Sequence, residues 1–163
     1  MKYTILILAL IVSISTLGFA VGGEVDSVLV DKSEKKIYLL SEGKQLKEYD
    51  VVFGENPKGH KQQEGDERTP EGKYILDYKK ADSSFYKAIH ISYPNEEDKA
   101  RARKIGVDPG GLIMIHGQKN GFGWLSWLMQ WFNWTDGCIA VTNAEMDEIW
   151  QLVEVGTPIE IRP

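Results

Sequence analysis

Residues 26–53 hold three consecutive runs in which apolar and polar side chains alternate at period two. The runs are VDSVLVD, KKIYLLS and QLKEYDVVF, rich in β-branched and aromatic types. Successive side chains of a strand point to opposite faces, so this period commits the first third of the chain to half-buried β-strands. The breaks, Lys32-Ser33-Glu34 and Glu42-Gly43-Lys44, are short and polar and suit hairpin turns. Further strands are expected at KYILDYK, KAIHIS, LIMIH and TPIEIRP.

Two segments carry the helical period instead. PNEEDKARARKIG has Asn95 as a cap, acidic residues in its first turn, basic residues near its end and Gly106 as a stop. NAEMDEIWQLV follows Thr142, and Thr142 with Glu145 has capping-box spacing. Its apolar face is Met146, Ile149, Trp150 and Val153. Residues 54–72 show no apolar period and read as a long functional loop. The expected fold is mainly β with a few helices, a β-sandwich or an open barrel.

The N-terminus is set aside from the fold. Lys2 is followed by the uncharged run ILILALIVSISTLGFA, with small residues at Gly18 and Ala20. This is the pattern of a secretory signal peptide over residues 1–20, the alternative being an uncleaved membrane anchor. One domain is expected over residues 21–163, exported to the periplasm or cell envelope, with membrane contact only through residues 1–20. The net charge of −5 argues against a nucleic-acid partner, which wants a basic surface.

Cys138 is the sole cysteine. An exported chain with one cysteine forms no internal disulfide, and a lone thiol in an oxidising setting is a liability unless it acts. It sits in Trp134-Thr135-Asp136-Gly137-Cys138-Ile139, where Gly137 lets the chain turn tightly before the thiol. Backbone amides at Gly137 and Cys138 are then candidate oxyanion donors. Upstream, Ile113-Met114-Ile115-His116-Gly117 ends an apolar strand on a histidine. An isolated thiol has a pKa of about 8.5 and is only about 3% thiolate at neutral pH. A neighbouring imidazole lowers that pKa or takes the proton, so His116 is the candidate base for Cys138.

These motifs resemble the L,D-transpeptidase catalytic (YkuD-like) domain: His116-Gly117, a variable loop, then Thr135-Asp136-Gly137-Cys138-Ile139. Arg68-Thr69-Pro70-Glu71-Gly72 resembles the family's Thr-Pro-x-Gly turn. His90-Ile91-Ser92-Tyr93-Pro94-Asn95 and Gly137 to Asn143 look most like its YafK-like branch. The resemblance covers Val25 to Pro163. It implies Cys138 as nucleophile, His116 as base and Gly137 at the oxyanion. Substrate contacts are expected at His90, Gly117, Trp127, Thr135 and Asp136, and the resemblance implies no metal and no cofactor. The implied substrate is a peptidoglycan stem peptide, attacked at its third, diamino-acid residue to give a thioester. An amine, a wall-attached protein or water would then accept the acyl group. A catalytically silent peptidoglycan-binding module is the third reading.

Two positions depart from the family pattern. Ala140 stands where many members carry Arg or Asn, so a substrate carboxylate must find its cation elsewhere; Arg68, Lys87 and Arg101 are the candidates. Asp136 stands where many members carry His. Its carboxylate would raise the thiol pKa, orient His116, or simply serve a tight turn. His60 is expected in solvent. Trp124, Trp127, Trp131, Phe132 and Trp134, between His116 and Cys138, are too apolar for an ordinary loop. They form either a helix packed on the core or a lid over the thiol.

Overall fold

The computed structural model describes residues 23–163. The expected signal segment lies outside the described residues. Eight strands run in chain order: β1 Ser27–Asp31, β2 Lys36–Ser41, β3 Lys44–Asp50, β4 Gly72–Lys80, β5 Ala88–Ile91, β6 Met114–His116, β7 Ile139–Ala140 and β8 Pro158–Arg162. They form one sheet in the order β3-β2-β1-β8-β4-β5-β6-β7. The two hairpins at the start pair antiparallel, and β8 returns parallel to β1.

The period-two pattern is what buries one face. Val28 and Val30 of β1, Ile37 and Leu39 of β2, and Ile159 and Ile161 of β8 are all enclosed, while their neighbours face outward. Each such side chain contributes about 1.5–3 kcal/mol on burial. Beyond β3 the chain crosses the open side of the sheet. Val52 pairs antiparallel with Ala140 of β7, donating and accepting at 3.0 and 2.9 Å. With a second bridge between Gly54 and Thr135, the two sheet edges are joined, and the sheet is an open barrel closed by two bridges.

Helix α1, Glu96–Ile105, follows β5. The Asn95 side chain accepts from the Asp98 amide, the Asp98 carboxylate accepts from the Asn95 amide, and Gly106 ends the helix at φ 73°. Helix α2, Ser126–Met129, is a single turn behind a 3₁₀ turn at Gly123–Leu125. Helix α3, Asn143–Leu152, has the expected capping box between Thr142 and Glu145. Its Met146 and Ile149, with Val153 just beyond, join the core, and Trp150 packs at its margin. Among the described residues no helix is long and apolar enough to cross a membrane.

Candidate active site

β6 and β7 run parallel with Ile115 beside Ile139 and His116 beside Ala140. That register sets Met114 level with Cys138, which directly precedes β7. Side chains alternate along a strand, so His116, Met114, Ala140 and Cys138 belong to one face. Cys138 thus lies two positions before Ala140, the register partner of His116, so the parallel pairing of β6 and β7 brings the two side chains to neighbouring places on one face.

His116 is buried and its Nδ1 lies 2.6 Å from the Gly117 carbonyl. A carbonyl only accepts, so Nδ1 carries the proton and Nε2 keeps its lone pair. The group that orients the imidazole is therefore this backbone carbonyl, not Asp136. Phe85 stacks on the ring with centroids 4.2 Å apart, and Trp134 meets it edge-on at 5.9 Å. Burial lowers the imidazole pKa from 6.5 to about 4, against the opposing pull of the Gly117 bond. At neutral pH the ring is uncharged.

Cys138 is half-buried, and its Sγ donates to the Leu112 carbonyl at 3.6 Å. Burial raises the thiol pKa above its ordinary value; the Asp136 charge adds to the rise, while a hydrogen bond from the Met114 amide and the buried Lys61 oppose it. The site without substrate thus holds a neutral thiol and a neutral imidazole. A preformed thiolate–imidazolium pair is disfavoured because both charges would be desolvated.

The turn before the thiol is clamped from three sides. Thr135 is buried; its hydroxyl donates to the Cys138 carbonyl at 2.7 Å and accepts from the Gly137 amide at 3.2 Å. The Gly137 amide, expected to face an oxyanion, is directed at this hydroxyl. Gly137 has φ 118°, and a Cβ there would stand 2.5 Å from the Arg68 carbonyl. Thr69, fully buried, donates to the Gly137 carbonyl at 2.9 Å. Gly54 closes the third side: a Cβ on it would come within 1.9 Å of the Glu67 carbonyl and 2.9 Å of the Gly137 amide.

The remaining positions separate into those near the dyad and those apart from it. Gly117 is buried, with its amide donated to the Tyr86 carbonyl and its own carbonyl given to His116, so it positions the ring. Asp136 is exposed. His90 lies on β5 between Tyr78 and Met114 in register, two strands from β7 or about 10 Å across the sheet. It bonds Asp77 at 2.6 Å and stacks on Tyr78 at 4.4 Å. Trp124, Trp127, Trp131 and Phe132 are 75%, 66%, 75% and 63% exposed, which overturns the packed-core alternative for this segment. His60 is not in solvent: it lies 3.1 Å from the buried Asp98. Of the three candidate cations, Lys87 is held by Asp147 and Arg101 by Asp98, whereas Arg68 has no ion-pair partner among the described residues.

Sequence reasoning passed over Gly54, Thr69, Phe85, Lys61 and Leu112. Gly54 opens the long loop, and Thr69 lies in the Thr-Pro-x-Gly segment noted only as a turn. Leu112 has φ 55° and is 71% exposed, and only the preceding Gly110-Gly111 pair hints at an unusual backbone there.

Comparison with known proteins fits this architecture. The model of the family described as "L,D-transpeptidase catalytic domain" matches residues 26–161. YafK of Escherichia coli K12, whose name places it with the L,D-transpeptidases, is 37% identical over 97 residues, covering 58% of this chain and 32% of YafK. The chain thus spans about a third of that relative's length. The helical cell shape determining protein Pgp2 from Campylobacter jejuni superimposes with a TM-score of 0.64 at 27% identity, over 86% of this chain and 52% of Pgp2. An L,D-transpeptidase from Mycobacterium smegmatis shares the fold with a TM-score of 0.57 at 14% identity, over 86% of this chain and 60% of its own. With the family match running from β1 through β8 and including both His116 and Cys138, the chain belongs to the L,D-transpeptidase catalytic domain family.

Proposed function

We propose that this protein is an exported enzyme of the cell envelope that transfers the acyl group of peptidoglycan stem peptides through Cys138. The observation that carries the reading is the His116 imidazole, locked as the Nδ1–H tautomer by Gly117 and set diagonally to Cys138 on one sheet face. That tautomer presents Nε2 as a base.

The thiol attacks the carbonyl of the third, diamino-acid residue, and its proton passes to His116 Nε2. Collapse of the tetrahedral adduct breaks the peptide bond to the fourth residue, whose amine takes the proton from His116. The product is a Cys138 thioester. An incoming amine then attacks the thioester and gives up its proton to His116; collapse forms the new amide bond and breaks the C–S bond, and His116 returns that proton to the departing sulfur to restore the thiol. The Met114 amide favours the anionic sulfur as it leaves. Because thiol and imidazole both begin neutral, proton transfer to His116 and attack on the carbonyl are coupled, and no free thiolate–imidazolium pair precedes the attack.

A hydrolytic outcome is the second reading. Ala140 is fully buried against Val52, so this position offers no side chain to seat an acceptor. Water needs no such seat. Chromatography of products from a stem tetrapeptide, with and without a diamino-acid amine, separates the two. A cross-linked or exchanged product means transpeptidation, and tripeptide alone means hydrolysis. An unchanged tetrapeptide in both mixtures would overturn the proposal for this substrate.

A further inference from the structure

The register that sets Cys138 level with Met114 continues across the sheet. Met114 pairs with His90 of β5, and His90 pairs with Tyr78 of β4. Cys138, Met114, His90 and Tyr78 therefore form one row on the face of the nucleophile. The alternate residues Ile89, Ile91, Ile115 and Ile139 are fully buried on the opposite, core face. A β-bulge between Leu76 and Tyr78 marks the far end of the row. Asp77, the extra residue of that bulge, turns its carboxylate onto His90 Nδ1 at 2.6 Å.

The groups at this end are within reach of a ligand. The Asp77 side chain is 40% exposed. Its carboxylate only accepts, so Nδ1 carries the proton and the neutral His90 ring keeps a lone pair on Nε2. That Nε2 has no hydrogen-bond partner among the described residues and is not enclosed. Tyr78, stacked on His90 with centroids 4.4 Å apart, is 39% exposed. A carboxylate, an imidazole lone pair and an aromatic ring all attract one kind of group, a cation that also donates hydrogen bonds. A pair that served only to join β4 to β5 would need neither the open nitrogen nor the open ring.

We propose that Asp77, His90 and Tyr78 seat the distal ammonium group of the diamino acid whose carbonyl Cys138 attacks. This rests on the peptidoglycan reading above. The reach agrees. β5 lies two strands from β7, about 10 Å across the sheet. The side chain spans about 7 Å, extended, from the attacked carbonyl carbon to the distal nitrogen. The thiol stands about 3 Å from that carbon before attack. Met114, midway along the row, offers an adaptable apolar surface to the intervening methylenes. Lys80, two positions beyond Tyr78 on the same face, is exposed and has no ion-pair partner among the described residues. A carboxylate on the distal carbon would meet that cation.

The test compares two stem tetrapeptides, one with diaminopimelate at the third position and one with 2-aminopimelate, which lacks only the distal amine. Release of the fourth residue is followed, so kcat/KM reports acylation whichever acceptor comes next. Wild type is expected to prefer the diaminopimelate peptide by about tenfold or more. Asp77→Asn and His90→Phe are expected to lose most of that preference, a ratio that partial unfolding does not move. A wild type that turns over both peptides equally overturns the proposal. So does an unaltered preference in both variants, including one in which both peptides slow equally, the mark of a purely structural pair. A wild type inert on both peptides would instead contradict the catalytic reading. Calorimetric titration of the diaminopimelate peptide into Cys138→Ala, with and without Asp77→Asn, then decides the subsite. About tenfold weaker binding with Asp77→Asn supports it, and equal or absent binding overturns it.

Discussion

The Thr69 hydroxyl donates to the Gly137 carbonyl at 2.9 Å and so ties the long loop to the residue that precedes the nucleophile. Both groups are buried. Thr69→Val keeps the shape and leaves the carbonyl unpaired, at a cost of about 1–3 kcal/mol. A small shift of the turn displaces the thiol, and misplacement of about 1 Å lowers rates by roughly a hundredfold. Thr69→Val is expected to lose ten- to a hundredfold in kcat with a lower melting temperature, and Thr69→Ser to restore both. Equal kinetics in the Val variant would show that the tie does not set the turn.

Gly54→Ala tests the same clamp from the other side. Its Cβ would collide with two backbone groups, the Glu67 carbonyl and the Gly137 amide, neither of which can rotate away. Overpacking of this kind costs about 1–3 kcal/mol. The expected result is a destabilised protein with slow acylation. A variant with wild-type stability and kinetics would contradict the close approach.

His116 makes stability depend on pH in a defined window. Its folded pKa is about 4 against 6.5 unfolded, so below 6.5 the unfolded chain binds a proton that the folded chain refuses. Stability is complete above that pH and falls as pH drops from 6.5 to about 4, by a total of about 3 kcal/mol. Denaturant unfolding at the two ends should show this loss in wild type, and a loss smaller by that amount in His116→Gln. Kinetically, a base with this pKa keeps kcat/KM on its acid side down to about pH 4. An acid limb centred near pH 6.5 would mean that burial does not hold the ring neutral.

Trp127 is 66% exposed, and its truncation removes no core packing. Trp127→Ala is expected to change stability by no more than about 0.5 kcal/mol. If the aromatic segment grips substrate, kcat/KM on intact peptidoglycan fragments falls. A collapse in melting temperature would place the ring in the core.

The strands and caps were legible because they depend on short-range rules. Period two in β1, β2 and β8, and the box between Thr142 and Glu145, are set by neighbours within four positions. The pairing of His116 with Cys138 could be read because both types are rare and each abuts a glycine. The tautomer-fixing carbonyl of Gly117 could not, since any residue supplies a carbonyl. The closure of the sheet by Val52 and Ala140 was hidden because two ordinary apolar residues make it. Gly54 gave no signal of its own and Thr69 showed only as part of a turn motif, because their importance comes from contact with Gly137 across the fold. The aromatic segment left a packed helix and a lid both open, because apolar spacing says that a face wants cover, and not whether core or ligand provides it.

The central claim is that Cys138 carries the acyl group. Intact-protein mass spectrometry of the protein quenched in acid after mixing with a stem tetrapeptide tests it directly. The account predicts an adduct of the tripeptide acyl group on Cys138, absent in Cys138→Ala and slow to form in His116→Gln. Turnover of the tetrapeptide by Cys138→Ala at the wild-type rate, with no adduct in either protein, would contradict it.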